Sequence, residues 1–191
     1  MLPISASEAS NWPSLCFHFM LKRSAMTVYG QSSFDMFANP VVSDNQDTVL
    51  YDVLATFSDG STTHKYTLID GIGYSSTGDS EVNCLDSEAG KLPAVNSIVA
   101  ALNDAVAVSS DSIDCPSGKL FKITVHGIDL ALCASGSSGF TLSNSDMDVT
   151  VEFMTNHIAI QVPSADMSER CEKVASSTAM TSFGKSILTG Q

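Results

Sequence analysis

The sequence predicts an α+β fold: an antiparallel sheet of about six to seven strands, ordered as hairpin, helix, five-strand meander and helix, with the helices packed on one face. Three observations carry this. Apolar residues alternate strictly over several short runs, as they do when one face of a strand is buried. Consecutive runs are joined by residues suited to tight reversals, which link antiparallel neighbours. One segment between the strand groups switches to helical spacing, and strand runs punctuated by helices imply a sheet covered on one side.

Residues 1–47 lack such patterning and read as a leader. The apolar run from Trp12 to Leu21 is broken by Pro13, Ser14 and His18. Its basic residues Lys22 and Arg23 follow it rather than precede it, so it fits a secretory signal badly. The expectation is that the start of this sequence is not the native one and that the true secretory signal is missing from it, a cytosolic protein being the alternative, and that residues 48–191 form a single α+β domain.

From Thr48 the alternation of Val49, Tyr51, Val53, Ala55 and Phe57 marks a strand. Asp59 and Gly60 turn the chain into a second run with His64, Tyr66 and Leu68 on one face and Thr63, Lys65 and Thr67 on the other. A Gly- and Ser-rich loop holding Cys84 follows. From Pro93 to about Ala107, the spacing of Val95, Ile98, Val99, Leu102 and Val106 predicts an amphipathic helix, with Pro93 at its start. Strands return at 119–125 and 128–133 around His126-Gly127, then near 139–142, 146–154 and 157–162. A last helix is expected from Met167, capped by Ser164 or Asp166, with Cys171, Val174 and Thr178 on one side.

Composition excludes several function classes. The chain has 191 residues, 43% of them hydrophobic, enough to build one core. Its 21 acidic residues against 9 basic ones give a net charge of -12, and Arg23 and Arg170 are its two arginines, which argues against nucleic acid and against an anionic membrane surface. No stretch approaches the roughly 20 apolar residues of a membrane span.

Five cysteines occur, with no CxxC pair among them, which weakens zinc and thioredoxin-type readings. Cys84, Cys115, Cys133 and Cys171 form an even set within the patterned region and are read as two disulfides, while Cys16 stands apart. Three connectivities are open. Element order favours Cys84 to Cys115 and Cys133 to Cys171.

No catalytic, metal or cofactor signature emerges. The loop Ala134-Ser135-Gly136-Ser137-Ser138-Gly139 lacks the glycine spacing of a nucleophile elbow, since Phe140 occupies the required position. His18, His64, His126 and His157 are scattered, without the i, i+4 pairing of a helical metal site. Asp146, Asp148, Thr150 and Glu152 share one strand face; alternate residues there lie too far apart to wrap one ion, so the stripe reads as solvated. The run Asp44-Asn45-Gln46-Asp47 lacks the glycine and distal glutamate of a calcium loop.

Three phrases, LYDVLATFSDGSTTHKYTLIDG, KLPAVNSIVAALNDA and LFKITVHGIDLALCASGSSGF, together with the paired cysteines and acidic Ser/Thr-rich character, give the chain a look similar to that of the small secreted effector-like proteins of filamentous plant pathogens over residues 27–190. The resemblance implies an extracellular protein acting at a host interface and transfers no functional residue. The functional expectation is a secreted, non-catalytic protein that binds an extracellular protein or glycan. The alternative is a carrier of a small apolar ligand, with a pocket lined by Phe121, Phe153, Met147 and Leu132. A hydrolase of unrecognised geometry stands third.

Overall fold

The computed structural model describes residues 12–78, 82–109, 112–163 and 170–191. It corrects the expected fold class: the protein is mainly β, and the described residues form a single 12-stranded antiparallel sheet with two short helices. The strands are β1 (Ser14–Leu21), β2 (Ser33–Val42), β3 (Thr48–Asp59), β4 (Thr62–Ile69), β5 (Ile72–Thr77), β6 (Asn83–Cys84), β7 (Val106–Ala107), β8 (Leu120–Val125), β9 (Ile128–Ala134), β10 (Gly139–Ser143), β11 (Met147–Met154) and β12 (Thr178–Ala179). The helices are α1 (Val95–Ala101) and α2 (Ser182–Thr189).

Two meanders, β1 to β6 and β7 to β11, are joined through β1 and β11, giving the order β6-β5-β4-β3-β2-β1-β11-β10-β9-β8-β7, with β12 added beside β3. Leu15, Phe17 and Phe19 of β1 are fully buried between Val149 and Val151 of β11 and Met36 and Ala38 of β2. The residues read as a leader therefore supply β1, in the middle of the sheet, and β2.

The sheet curls around α1. This helix touches both β3 and β8, although β2, β1, β11, β10 and β9 lie between those strands in the sheet. Its buried Val95, Ile98 and Val99, with Leu102 just after it, join the same core as Phe17, Tyr51, Val53, Leu132 and Phe140. Asn96 fixes the helix to β3 in the manner of a missing strand: its Oδ1 accepts from the Tyr51 N–H at 2.9 Å and its Nδ2 donates to the Tyr51 carbonyl at 3.1 Å. Asn39 of β2 does the same for the segment after β11, accepting from the Ile158 N–H and donating to the Ile158 carbonyl.

Other expectations are corrected by local causes. The predicted helix over 93–107 ends at Ala101, because Leu102–Asp104 tighten into a 3-10 turn and the chain then extends into β7. Residues 157–162 form no strand; they are held by Asn39 instead. Ser164, Asp166 and Met167, expected to begin the last helix, lie outside the described residues, whereas Cys171 and Val174 are non-helical and Thr178 belongs to β12. The final helix is α2, capped by Thr181, whose Oγ1 accepts from the Gly184 N–H at 3.0 Å, and closed by Gly190 at φ +75°.

All four cysteines of the even set are bridged, but the connectivity differs from the favoured one: Cys84 joins Cys171 and Cys115 joins Cys133. The reason is register. Cys133 opposes Leu120 at the end of the β8–β9 hairpin, so the chain entering β8 carries Cys115 to it. Cys84, on edge strand β6, meets the segment returning past the β4–β5 turn, where the Val174 and Ala175 N–H groups donate to the Gly71 carbonyl. Gly71 has φ +80°, and a Cβ there would lie 2.2 Å from the Ala175 carbonyl oxygen.

Candidate functional site

A cavity of about 570 Å³ opens at one end of the curled sheet. Strand ends form its wall: Leu21 of β1, Phe34 of β2, Met147 of β11, and Val125, His126, Ile128 and Leu130 around the β8–β9 turn. Its other side is the segment Ser87–Ala94 with Ser97 and Ile98 of α1, and Val174 closes one corner. A second cavity of about 730 Å³ adjoins it, walled by Phe57 of β3, His64, Lys65 and Tyr66 of β4, Ser75 of β5, and Leu85. Met26, Val28 and the stretch Ala89–Leu92 line both, so the two spaces meet along that seam. Volumes of this size suit a small organic ligand.

The roof over the seam is the connection between β1 and β2. It folds as a 3-10 turn at Ser24–Met26, then reverses at Tyr29-Gly30, with Val28 and Gln31 exchanging backbone hydrogen bonds. Tyr29 takes φ +49°, unusual for an aromatic residue, and lays its ring on that of His64 with centroids 3.7 Å apart and planes within 7°. Gln31 Nε2 donates to the Ser58 carbonyl at 2.9 Å, and Arg23 pairs with Asp146 at 2.6 Å. The roof is thus tied at both ends to the sheet.

The facing segment is positioned by Glu88. One carboxylate oxygen accepts from the Asn96 N–H at 2.7 Å and the other from the Ser97 hydroxyl at 3.1 Å, while the Glu88 carbonyl accepts from the Tyr66 hydroxyl at 2.5 Å. Burial, reinforced by the Glu88 charge, pushes the Tyr66 phenol well above its usual range, so the hydroxyl stays protonated and donating. Both ends of the seam are held by hydrogen bonds, and the apolar side chains between them form a preformed pocket.

Of the residues expected to line a carrier pocket, Met147 does so. Leu132 is fully buried in the core, Phe121 packs on Phe183 with centroids 4.7 Å apart, and Phe153 lies beside Gly190. Among the pocket residues that sequence reasoning missed, Leu21, Met26, Val28, Tyr29 and Phe34 come from the region read as a leader, and Glu88, Lys91, Ile98 and Leu130 from the region read as patterned. A signal for the first group existed in the strict alternation of Leu15, Phe17, Phe19 and Leu21 and in the Tyr29-Gly30 turn pair.

Of the other candidate residues, His126 lines the first cavity and His64 the second, and the rest are spread over the molecule. His18 pairs with Asp35 at 2.5 Å on the outer face of β1 and β2. Cys16, on the same strand as His18, is unbridged, with its thiol pushed up to about 11 by burial and by the charges of Asp35 and Glu152. That is the opposite of an activated nucleophile. His126 occupies the β8–β9 turn at φ +51°, and His157 is exposed in the segment held by Asn39. The loop after β9 forms a 3-10 turn at Gly136–Ser138, where the Ser138 hydroxyl donates to the Ser135 carbonyl. In the acidic stripe Asp146 meets Arg23, Asp148 meets Lys22 at 3.0 Å, and Thr150 and Glu152 are exposed.

Among the described residues no group of three or more His, Cys, Asp or Glu side chains could hold a metal ion, and no helix is long and apolar enough to cross a membrane. The two disulfides are consistent with an oxidising compartment. No protein-family model matches the chain, and no curated protein matches it in sequence.

Proposed function

We propose that the protein is a secreted, non-catalytic binding protein whose ligand is a small, mainly apolar molecule held in the pocket between the curled sheet, the roof at 24–31 and the segment at 87–98. The observation that carries this is the cavity of about 570 Å³ with Leu21, Val28, Phe34, Ile98 and Leu130 in its wall and few polar groups among them. Polar groups nearby, Glu88 and Ser97, are already hydrogen-bonded to each other. The cavity and its apolar wall are what support this reading over a protein or glycan partner. The secreted setting is supported by the two disulfides and by the acidic, Ser/Thr-rich style of the chain.

The test is titration of the protein with the neutral fluorophore N-phenyl-1-naphthylamine. Blue-shifted, enhanced emission that saturates at one equivalent, with a negative heat-capacity change, is expected. Met147→Trp, which places bulk in the cavity from a half-buried position, should weaken binding at least tenfold while the unfolding midpoint is kept. Unsaturable binding, or full affinity in the folded Met147→Trp variant, would remove the proposal.

A further inference from the structure

We infer that the pocket selects an amphipathic carboxylate: an acyl chain in the apolar cavity and an anionic head at the seam beside Lys91. This rests on the proposed function and adds the class of ligand to it.

The inference starts from where the few positive charges lie. Nine basic residues stand against 21 acidic ones. Lys22, Arg23, Lys173 and Lys185 are each committed to an aspartate. Lys65, Lys91, Lys119, Lys122 and Arg170 make no ion pair among the described residues, and of these Lys91 and Lys65 line the second cavity. Lys91 also lines the first, so it stands where the two spaces meet. In a chain this acidic, an uncommitted lysine at the mouth of an apolar cavity makes the seam a local positive site in a negative surrounding.

The Glu88 carboxylate at this seam keeps its negative charge but makes no ion pair with Lys91 among the described residues. Glu88 directs both oxygens to Asn96 and Ser97, at the start of α1. The lysine is suited to the role: its methylenes cover apolar wall while its ammonium stays in water at the rim. Phe34, Ile98 and Leu130 on one side of the seam, with Phe57 and Leu85 on the other, offer apolar surface in line with the charge. A ligand that matches this layout is apolar along its length and anionic at one end. A neutral apolar molecule fills the cavity but leaves Lys91 without a counter-ion, and a small anion meets Lys91 but leaves the cavity empty.

The experiment compares decanoate with 1-decanol by isothermal titration calorimetry at pH 8, in low salt and in 1 M NaCl, for the parent protein, Lys91→Met and Lys91→Arg. Decanoate is expected to bind about two- to fivefold more tightly than decanol at low salt, the range for an exposed charge pair, and to lose that advantage in 1 M NaCl. Lys91→Met should abolish the preference while leaving decanol affinity within twofold, and Lys91→Arg should keep it. Equal binding of the two ligands, or equal weakening of both by Lys91→Met, would overturn the carboxylate inference and leave the apolar pocket standing. Binding of neither would overturn both.

Discussion

Removing the Cys84–Cys171 bridge should destabilise the protein more than removing Cys115–Cys133, by an amount that follows from the loops they close. The sequence separations are 87 and 18 residues. Loop-closure entropy in the unfolded chain then assigns about 4.6 kcal/mol to the first and about 3.2 kcal/mol to the second, a difference of about 1.4 kcal/mol. Each pair contains one buried cysteine, Cys171 or Cys133, so the sulfur burial lost on substitution by alanine largely cancels in the comparison. The longer bridge also holds the segment that hydrogen-bonds to Gly71, which adds to its weight. The assay is urea denaturation of Cys84→Ala/Cys171→Ala and of Cys115→Ala/Cys133→Ala against the parent, preceded by peptide mapping of the unreduced protein. An equal or larger loss in the Cys115/Cys133 variant, or peptides joining Cys84 to Cys115, would refute the reasoning.

Two further outcomes follow from single side chains. Asn96→Ala leaves the buried N–H and carbonyl of Tyr51 without their partners, so a loss of about 2–4 kcal/mol is expected in denaturant titrations, and an unchanged midpoint would show that α1 is not fixed this way. Cys16, with its thiol pushed from 9.0 to about 11, holds about a hundredfold less thiolate at pH 8 than an unperturbed cysteine would. The raised value means that reactivity is suppressed below about pH 11 and rises with pH toward it. Iodoacetamide labelling should therefore be about a hundredfold slower in the folded protein than in 8 M urea, and equal rates would contradict the burial described for β1.

Half of the sheet was legible because its strands show contrast. In β3 the inward Val49, Tyr51, Val53, Ala55 and Phe57 alternate with residues that include Asp52, Thr56 and Ser58, and all five are buried as expected. The β8–β9 hairpin was marked by His126-Gly127, both at positive φ. β1 shows alternation as strict, but its outward positions hold Cys16 and Met20 as well as His18, so the contrast between faces is weak and the run resembles a continuous apolar stretch. β5 carries Gly73, Ser75 and Ser76, composition typical of a loop. Gly73 gives room to Leu85, whose side chain would lie 3.1 Å from a Cβ at that position.

The fold class was misread for the same reason. With β1, β2 and β5 unseen, two short helices weighed too heavily against the remaining strands. The pocket was less legible still, because it is made where β1, β2, β9 and β11 end together and where the chain at 87–94 crosses them. Nothing local in sequence joins Phe34 to Leu130 or Met26 to Lys91; only the curl of the sheet around α1 does. The disulfide set could be read by counting, whereas its pairing depended on strand register.

The most direct test of the central claim uses the methionine methyl groups as reporters. Met26 and Met147 line the cavity, Met20 lies on the outer face of β1 at 49% exposure, and Met180 is buried before α2. With methyl-13C methionine in the full chain, saturating 1-decanol should shift the Met26 and Met147 methyl resonances and give them nuclear Overhauser contacts to the decanol methylenes, with Met20 and Met180 unmoved. Contacts at Met20 or Met180 with none at Met26 and Met147 would place the ligand elsewhere and contradict the account.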